Sequence, residues 1–452
     1  MEEKTLVSRL VGGGAWSFSS KLLTGFLTIA LTGYIAKHLP PEEVGIFFFS
    51  FSVVAILSLF ARLGLDQLAI KLIGEALVQK DRQRITSITL KSIAHVLTVS
   101  LVLSLVLASM VEHLAVFDGI AHAWLKLLIA LWLPVFALQL LFAEIFRAFH
   151  NIKLASIYSG GTAFGGFLGS LSIPMIFAAL YILGFPLSLS ILISSVIFVI
   201  FISLLTELVI IRRLLHTLVF DGPQESSEKF TSIDLLKNGL PLFIAILASY
   251  SLMHVDVIIL GVYGTNDEVA VYAATSRIAK LAFLVVMVVN EVVAPLIVQF
   301  NTQNRKSRLE AVMRGSATLA TYSSLIVSFV FIFFAEKLLQ LIYGDFYTAG
   351  SSILVILGVG LLFSSFLGSG SYAMNLMGYA KVRMVISFVT TFVAIVMCVF
   401  AAQHLGPEAV ALVIAMAWVA QNLASNIFLY KVEGIRTHAF FVVRRRELRK
   451  LL

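Results

Sequence analysis

Arg277 and Lys280 stand three residues apart in a long apolar run, so a helix there carries both on one face. Two cations on one face suit a diphosphate, whose oxygens accept charge-assisted hydrogen bonds. The same pair could instead be neutralised internally by Asp256 in the preceding run. Lys21 follows Ser19 and Ser20 about eleven residues into the first run, too deep to snorkel easily. It is expected to line a wet cavity or to partner a carboxylate. Arg62 and Lys237, near the ends of their runs, are the expected first contacts for phosphate. Asp256, Glu291 and Asp66 are expected to couple an ion or to form internal salt bridges.

Arg62, Asp66, Lys91, Glu144, Arg147, Glu207, Lys237 and Glu291 gather near corresponding run ends. Snorkelling or ion pairing between helices is the expectation for most of them, and a wet vestibule for the rest. His254 reads as a packing residue. Gln421, Asn422, Ser425 and Asn426 suit either sugar hydroxyls or the joining of neighbouring helices. Gly161, Gly165 and Gly169, spaced by four, let another backbone approach closely.

The sequence offers little for catalysis. It contains no nucleophile elbow and no HExxH pattern. Gly12-Gly13-Gly14 lacks the Gly-Lys-Ser/Thr ending of a phosphate-binding loop. Glu112, His113, Asp118 and His122, within residues 111–123, make a modest constellation. The single cysteine, Cys398, excludes an intramolecular disulfide and a zinc cluster. No catalytic residue, cofactor or metal site is expected, and the chain is not expected to be an enzyme.

The elements that must position these residues follow from composition. The chain has 452 residues, of which 59% are hydrophobic and 13% charged, with a mean hydropathy of +0.98. Soluble domains have roughly 45–50% and 25%, so a soluble enzyme and a disordered chain are both excluded. A membrane-crossing helix needs about 20 mostly apolar residues. Twelve runs qualify: 10–36, 43–65, 88–110, 124–146, 157–183, 187–211, 234–262, 271–300, 312–335, 350–376, 383–402 and 407–430. They show no period-2 alternation, which argues against a β-barrel. Met1-Glu2-Glu3-Lys4 is acidic and the first run is too long for a cleaved signal.

Lys and Arg total 33. With the amino terminus inside, 24 fall on inner segments, and only Lys37, Lys126 and Lys337 on outer ones. This bias predicts both termini in the cytoplasm. It also accounts for most of the net charge of +8, so no nucleic-acid partner is expected. The tail Arg444-Arg445-Arg446-Glu447-Leu448-Arg449-Lys450 is expected to lie on anionic lipid.

The longest hydrophilic link contains Asp221-Gly222-Pro223-Gln224-Glu225 and divides the spans six and six. The expected organisation is a six-helix lobe over 1–213, a cytoplasmic linker over 214–233, a second lobe over 234–430 and a basic tail over 431–452. The halves echo each other at an offset of 225 residues, Glu42-Glu43-Val44 against Asp267-Glu268-Val269 and Asp66 against Glu291. Six spans per half give parallel repeats. The fold class expected is an all-α polytopic membrane protein, with 12 transmembrane helices in two pseudo-symmetric six-helix bundles around a central cavity.

Several ordered motifs carry a family resemblance. They are the stretch Gly33 to Phe47, Arg62-Leu63-Gly64-Leu65-Asp66-Gln67, Leu341 to Ala349, Asn375-Leu376-Met377-Gly378, and Leu405-Gly406-Pro407-Glu408-Ala409-Val410-Ala411. Together they resemble the oligosaccharide-flippase (Wzx-like) branch of the multidrug/oligosaccharidyl-lipid/polysaccharide exporter superfamily. The resemblance implies a multi-pass protein of a bacterial or archaeal cell (plasma) membrane. It implies a flippase carrying a polyprenyl-diphosphate-linked oligosaccharide from the inner to the outer leaflet by alternating access, for cell-surface polysaccharide biosynthesis. The implied partners are that lipid-linked oligosaccharide, membrane lipids and polysaccharide polymerase machinery. Two alternatives stand beside it. One is a cation-coupled multidrug antiporter, which would favour acidic deep charges where these lean cationic. The other is an integral membrane polymerase or ligase, which would need a larger outer loop than this chain has.

Overall fold

A computed structural model describes residues 2–111, 115–117, 123–158, 164, 166–218 and 232–440. Within these it describes the side chains of all but residues 2–18, 21, 115, 123, 181, 232, 245, 285, 288 and 291. No strand occurs among the described residues. The first α-helices are α1 (Glu2–His38), α2 (Pro41–Arg62), α3 (Leu65–Val78), α4 (Arg82–Met110), α5 (Ala123–Ala148), α6 (Ile152–Tyr158), α7 (Gly166–Ile182) and α8 (Leu189–Thr217). They continue as α9 (Ser232–Ser251), α10 (Val255–Tyr263), α11 (Asn266–Thr302), α12 (Lys306–Tyr343), α13 (Ser351–Leu367), α14 (Gly370–Leu376), α15 (Ala380–His404) and α16 (Pro407–Glu433).

All twelve expected spans fall on helices, so the chain is an all-α polytopic membrane protein. Eight described helices are long and apolar enough to cross a membrane. The seventh and tenth spans are each split in two, as α9/α10 and α13/α14. Segment 65–78, read as an interspan link, is instead the helix α3. Its face of Leu65, Leu68, Ala69, Leu72, Ile73 and Ala76 is buried. The internal repeat is visible in the element boundaries. The segment spanned by α2 and α3 recurs as the single helix α11, displaced by 225 residues.

Local chemistry sets these boundaries. Pro41 opens α2 at a position with no need of an N–H, with Glu42 and Glu43 in its first turn. Thr265 and Glu268 close a reciprocal capping box at the start of α11. Asp81 accepts from the Arg84 amide at 2.9 Å and caps α4. The α2–α3 break falls at Leu63 and Gly64, both left-handed. A Cβ on Gly64 would collide with the Gly239 carbonyl of α9, and one on Gly239 would lie 2.7 Å from the Leu63 carbonyl. Two facing glycines thus let the break seat against α9.

Packing divides the chain into two compact units, Met1–Leu247 and Ala248–Leu452, with the boundary inside α9. Residues 219–231, which hold most of the expected linker, lie outside the described residues. In unit 1, Phe47 stacks on Trp132 and Phe164 with ring centroids 5.6 and 5.8 Å apart. In unit 2, close approach rests on small residues. Ser324 and Ser365 share a hydrogen bond of 2.8 Å, and Ser328 donates to the Gly358 carbonyl at 2.8 Å. Such contacts matter because lipid is as apolar as leucine, so packing and polar bonds hold membrane helices together. The exposed faces of α4, α12 and α15 carry Leu101, Leu105, Phe329, Phe333, Phe392 and Phe400, as a hydrocarbon-facing surface requires.

The first part of the expected basic tail, residues 434–440, packs into unit 2. Ile435, Thr437 and Ala439 are buried. The Ala439 amide donates to the Phe366 carbonyl at 2.8 Å, and the Phe440 amide to Thr318 Oγ1 at 2.9 Å. Arg314 lies over the Phe440 ring at 4.1 Å. The arginine-rich residues 441–452 lie outside the described residues.

Candidate functional site

Unit 2 brings two of the expected site residues together. Asp256 is fully buried on α10. Its Oδ2 accepts from Lys280 Nζ at 2.9 Å and from the Tyr272 hydroxyl at 3.2 Å, both on α11. Its Oδ1 accepts from the Val257 amide at 2.9 Å. The Lys280 ammonium also donates to the Met253 carbonyl at 2.7 Å, in the break between α9 and α10. Backbone freed by a break in a membrane span needs such a donor. Lys280 therefore does two jobs, as counter-charge of Asp256 and as cap of the broken span. Arg277 is half-buried one turn earlier on α11, within electrostatic reach of Tyr343 and His254. His254 is the N-cap residue immediately before α10.

Unit 1 pairs Arg62 with Asp66 across the α2–α3 break at 2.5 Å, both nearly inaccessible. Arg62 Nε also donates to the Ser58 carbonyl at 3.2 Å. Nearby on α5, Arg147 pairs with Glu144. Lys237 is exposed near the start of α9. The side chains of Lys21 and Glu291 lie outside the described residues, as do Glu112, His113, Asp118, His122, Gly161 and Gly165. Glu207 differs from the expectation of snorkelling or pairing. It is fully buried on α8, and neither carboxyl oxygen has a hydrogen-bond partner among the described residues.

The polar residues of the last span join helices and also line a cavity. Gln421 Nε2 donates to Ser387 Oγ at 2.5 Å, and Asn426 Nδ2 to the Leu367 carbonyl at 2.5 Å. Asn422 Nδ2 donates to Ser364 Oγ at 2.7 Å, while its Oδ1 accepts from Ser371 at 3.1 Å. Asn422 forms one wall of a cavity of about 220 Å³ within unit 2, beside the α13–α14 break at Gly368 and Ser369. Asn290 of α11 and Ser371 and Tyr372 of α14 complete its polar wall. Among the described residues, Arg383 of α15 is its one charged lining residue, and the buried Arg383 Nε has no hydrogen-bond partner. Sequence reasoning counted Arg383 only among the orientation charges. The signal available was its place at the start of an apolar run.

No group of three or more His, Cys, Asp or Glu suited to a metal occurs among the described residues. The cavity of unit 2 offers a guanidinium, amides and hydroxyls, donors suited to an anionic, hydroxylated ligand.

Comparison with known proteins identifies the family. The family model described as polysaccharide biosynthesis protein matches residues 10–301. The chain belongs to that family. A second model, MatE, matches residues 241–400. A curated relative, "Probable low-salt glycan biosynthesis flippase Agl15" of Haloferax volcanii, is 24% identical over 167 residues. That stretch spans 35% of this chain and 35% of the relative, so the chain matches about a third of the relative's length. Among solved structures, the lipid II flippase MurJ in an inward closed conformation superposes with a TM-score of 0.68 at 15% identity, covering 98% of this chain and 90% of that one. An inward-facing multidrug resistance MATE transporter superposes with a TM-score of 0.66 at 16% identity, covering 92% and 97%. The family member described here thus shares its fold with both a flippase and a drug exporter.

Proposed function

We propose that this chain is a flippase that moves a polyprenyl-diphosphate-linked oligosaccharide from the inner to the outer leaflet of the cell membrane, serving cell-surface polysaccharide biosynthesis. Both termini lie in the cytoplasm in this reading, as the 24 to 3 division of Lys and Arg implies. The headgroup site is exposed to the two faces in turn, while the polyprenyl tail stays in lipid. One observation carries the reading: the cavity of unit 2, beside the α13–α14 break, presents a cation, Arg383, and no acid among its described lining residues. Three acids, Asp256, Glu207 and Asp66, are closed to a cationic ligand. Asp256 and Glu207 are fully buried, and Asp66 is held by Arg62. Asp256 holds Lys280 until phosphate oxygens or an exchanged ion compete for the ammonium.

A second reading, a cation-coupled multidrug antiporter, draws support from the MatE match over residues 241–400. It calls for an accessible carboxylate to receive a cationic drug, which the buried positions of Asp256 and Glu207 disfavour.

Deletion of the gene in its host tests the reading. Lipid-linked oligosaccharide should build up on the cytoplasmic face and surface glycan should fall, both restored by the wild-type gene. Unchanged surface glycan together with sensitivity to cationic dyes would favour the antiporter.

A further inference from the structure

We infer that the cavity of unit 2 is a recognition subsite for one acidic sugar of the transported glycan, with the Arg383 guanidinium binding the sugar carboxylate. The inference rests on the flippase reading above and names the chemistry of the cargo.

The lining supports it at three points. First, about 220 Å³ is the room of roughly seven waters, enough for a single sugar unit but not for a lipid tail. Second, the wall is built for hydroxyl groups. Asn290, Ser369, Ser371 and Asn422 present amides and hydroxyls, and the rings of Phe283 and Tyr372 border the same space. Asn422 is already fixed by Ser364 and Ser371, so its orientation is set before a ligand arrives. Third, the charge count matches a monoanion. Among the described residues, Arg383 is the one cation in the wall and no acid lines it. A diphosphate carries more charge than one guanidinium neutralises, whereas a carboxylate fits the guanidinium fork one to one. The buried and unpartnered Arg383 Nε supplies an N–H for such a fork. The adjacent break at Gly368 and Ser369 fits as well, because non-helical backbone at membrane depth occurs where it is buried in protein or lines a wet cavity.

The test is ligand binding to the full chain in detergent by saturation-transfer NMR, using methyl glucuronide, methyl glucoside and pyrophosphate as separate probes. The uronide should bind about ten- to a hundredfold more tightly than the glucoside, the range for a hydrogen bond to a charged group. Arg383→Gln should erase that preference, and Arg383→Lys should restore part of it. Asn422→Asp, which adds a negative charge to the wall, should weaken the uronide and spare the glucoside. It serves if Arg383→Gln does not fold. Equal binding of uronide and glucoside, or uronide binding unchanged in both Arg383→Gln and Asn422→Asp, would overturn the inference. So would pyrophosphate displacing the uronide from wild type but not from Arg383→Gln. Transport separates this from the broader reading. A chain that flips neutral and acidic lipid-linked glycans equally well sinks the inference alone, and one that flips neither sinks the flippase reading.

Discussion

Lys280 Nζ lies 2.9 Å from Asp256 Oδ2, and the same ammonium lies 2.7 Å from the Met253 carbonyl at the break in the seventh span. One side chain thus balances a fully buried charge and satisfies freed backbone. Removing one partner of a buried pair leaves the other charge uncompensated, at a cost of about 3–5 kcal/mol. Lys280→Met should therefore lower thermal stability in detergent by roughly that amount. The double variant Lys280→Met with Asp256→Asn should recover most of it. Equal loss in the single and double variants would show that Lys280 acts mainly as the cap of the break.

The contact between Gly64 and Gly239 makes a second prediction. Gly64 has φ +77, and its Cβ position is filled by the Gly239 backbone. Gly64→Ala should destabilise unit 1 by at least the roughly 1–3 kcal/mol of left-handed strain, with more from the collision. The pair Arg62 and Asp66, which straddles this break, should then become accessible. Protection of the α2–α3 segment against hydrogen exchange measures both effects.

A third prediction concerns pH. Glu433 accepts from the Tyr379 hydroxyl and pairs with Lys306 at 3.0 Å, tying the start of α12, the turn before α15 and the end of α16. The Tyr379 hydrogen bond, then Lys306, holds the Glu433 carboxyl below its usual value. The stability it adds is present above the ordinary carboxylate pKa of about 4.3 and is lost as pH falls through the lowered folded value. Tyr379 is raised, chiefly by its hydrogen bond to Glu433. Its contribution is present below about pH 10 and is lost as pH rises through the raised value. Tyr379→Phe should move the acid limb of a stability profile upward in pH and remove the alkaline limb. A profile unchanged at both ends would contradict the latch.

Glu207 supplies a fourth. Its carboxyl is fully buried without a described hydrogen-bond partner, so an uncharged group of the same shape should serve as well. Glu207→Gln should fold with a melting temperature equal to or above wild type. Glu207→Lys, which buries a cation in the same place, should lose several kcal/mol. A large loss in Glu207→Gln would reveal a partner that depends on the carboxylate.

Much of the architecture was legible because a bilayer leaves one rule in charge. Each span must be apolar and satisfy its own backbone, so runs such as 88–110 and 407–430 announce themselves. The repeat was legible through Glu42 and Asp267, since acidic residues favour the first turns of both α2 and α11. The pairing of Asp256 with Lys280 was one of two open readings, because spacing gives a shared face but not the partner across it. The breaks were illegible. Nothing local separates Gly368, which ends α13, from Gly358, which packs against Phe331 inside the same helix. The α3 helix was masked by its charges: Lys71 and Glu75 stay at the surface and Asp66 is buried against Arg62, while Leu68 and Leu72 go inward. The role of Arg383 was hidden for a related reason. A cation at a span end reads as topology, and only the neighbours brought by α11, α13, α14 and α16 place it in a cavity wall.

The central claim is transport of an anionic, lipid-linked glycan, and proteoliposomes test it most directly. The purified chain is reconstituted with fluorescently labelled polyprenyl-diphosphate oligosaccharide, and an impermeant quencher reports the leaflet occupied. The account predicts leaflet exchange well above protein-free vesicles, slowed by Arg383→Gln while insertion is unchanged. Exchange no faster than in protein-free vesicles, with a cationic dye instead carried across the same membrane, would contradict it.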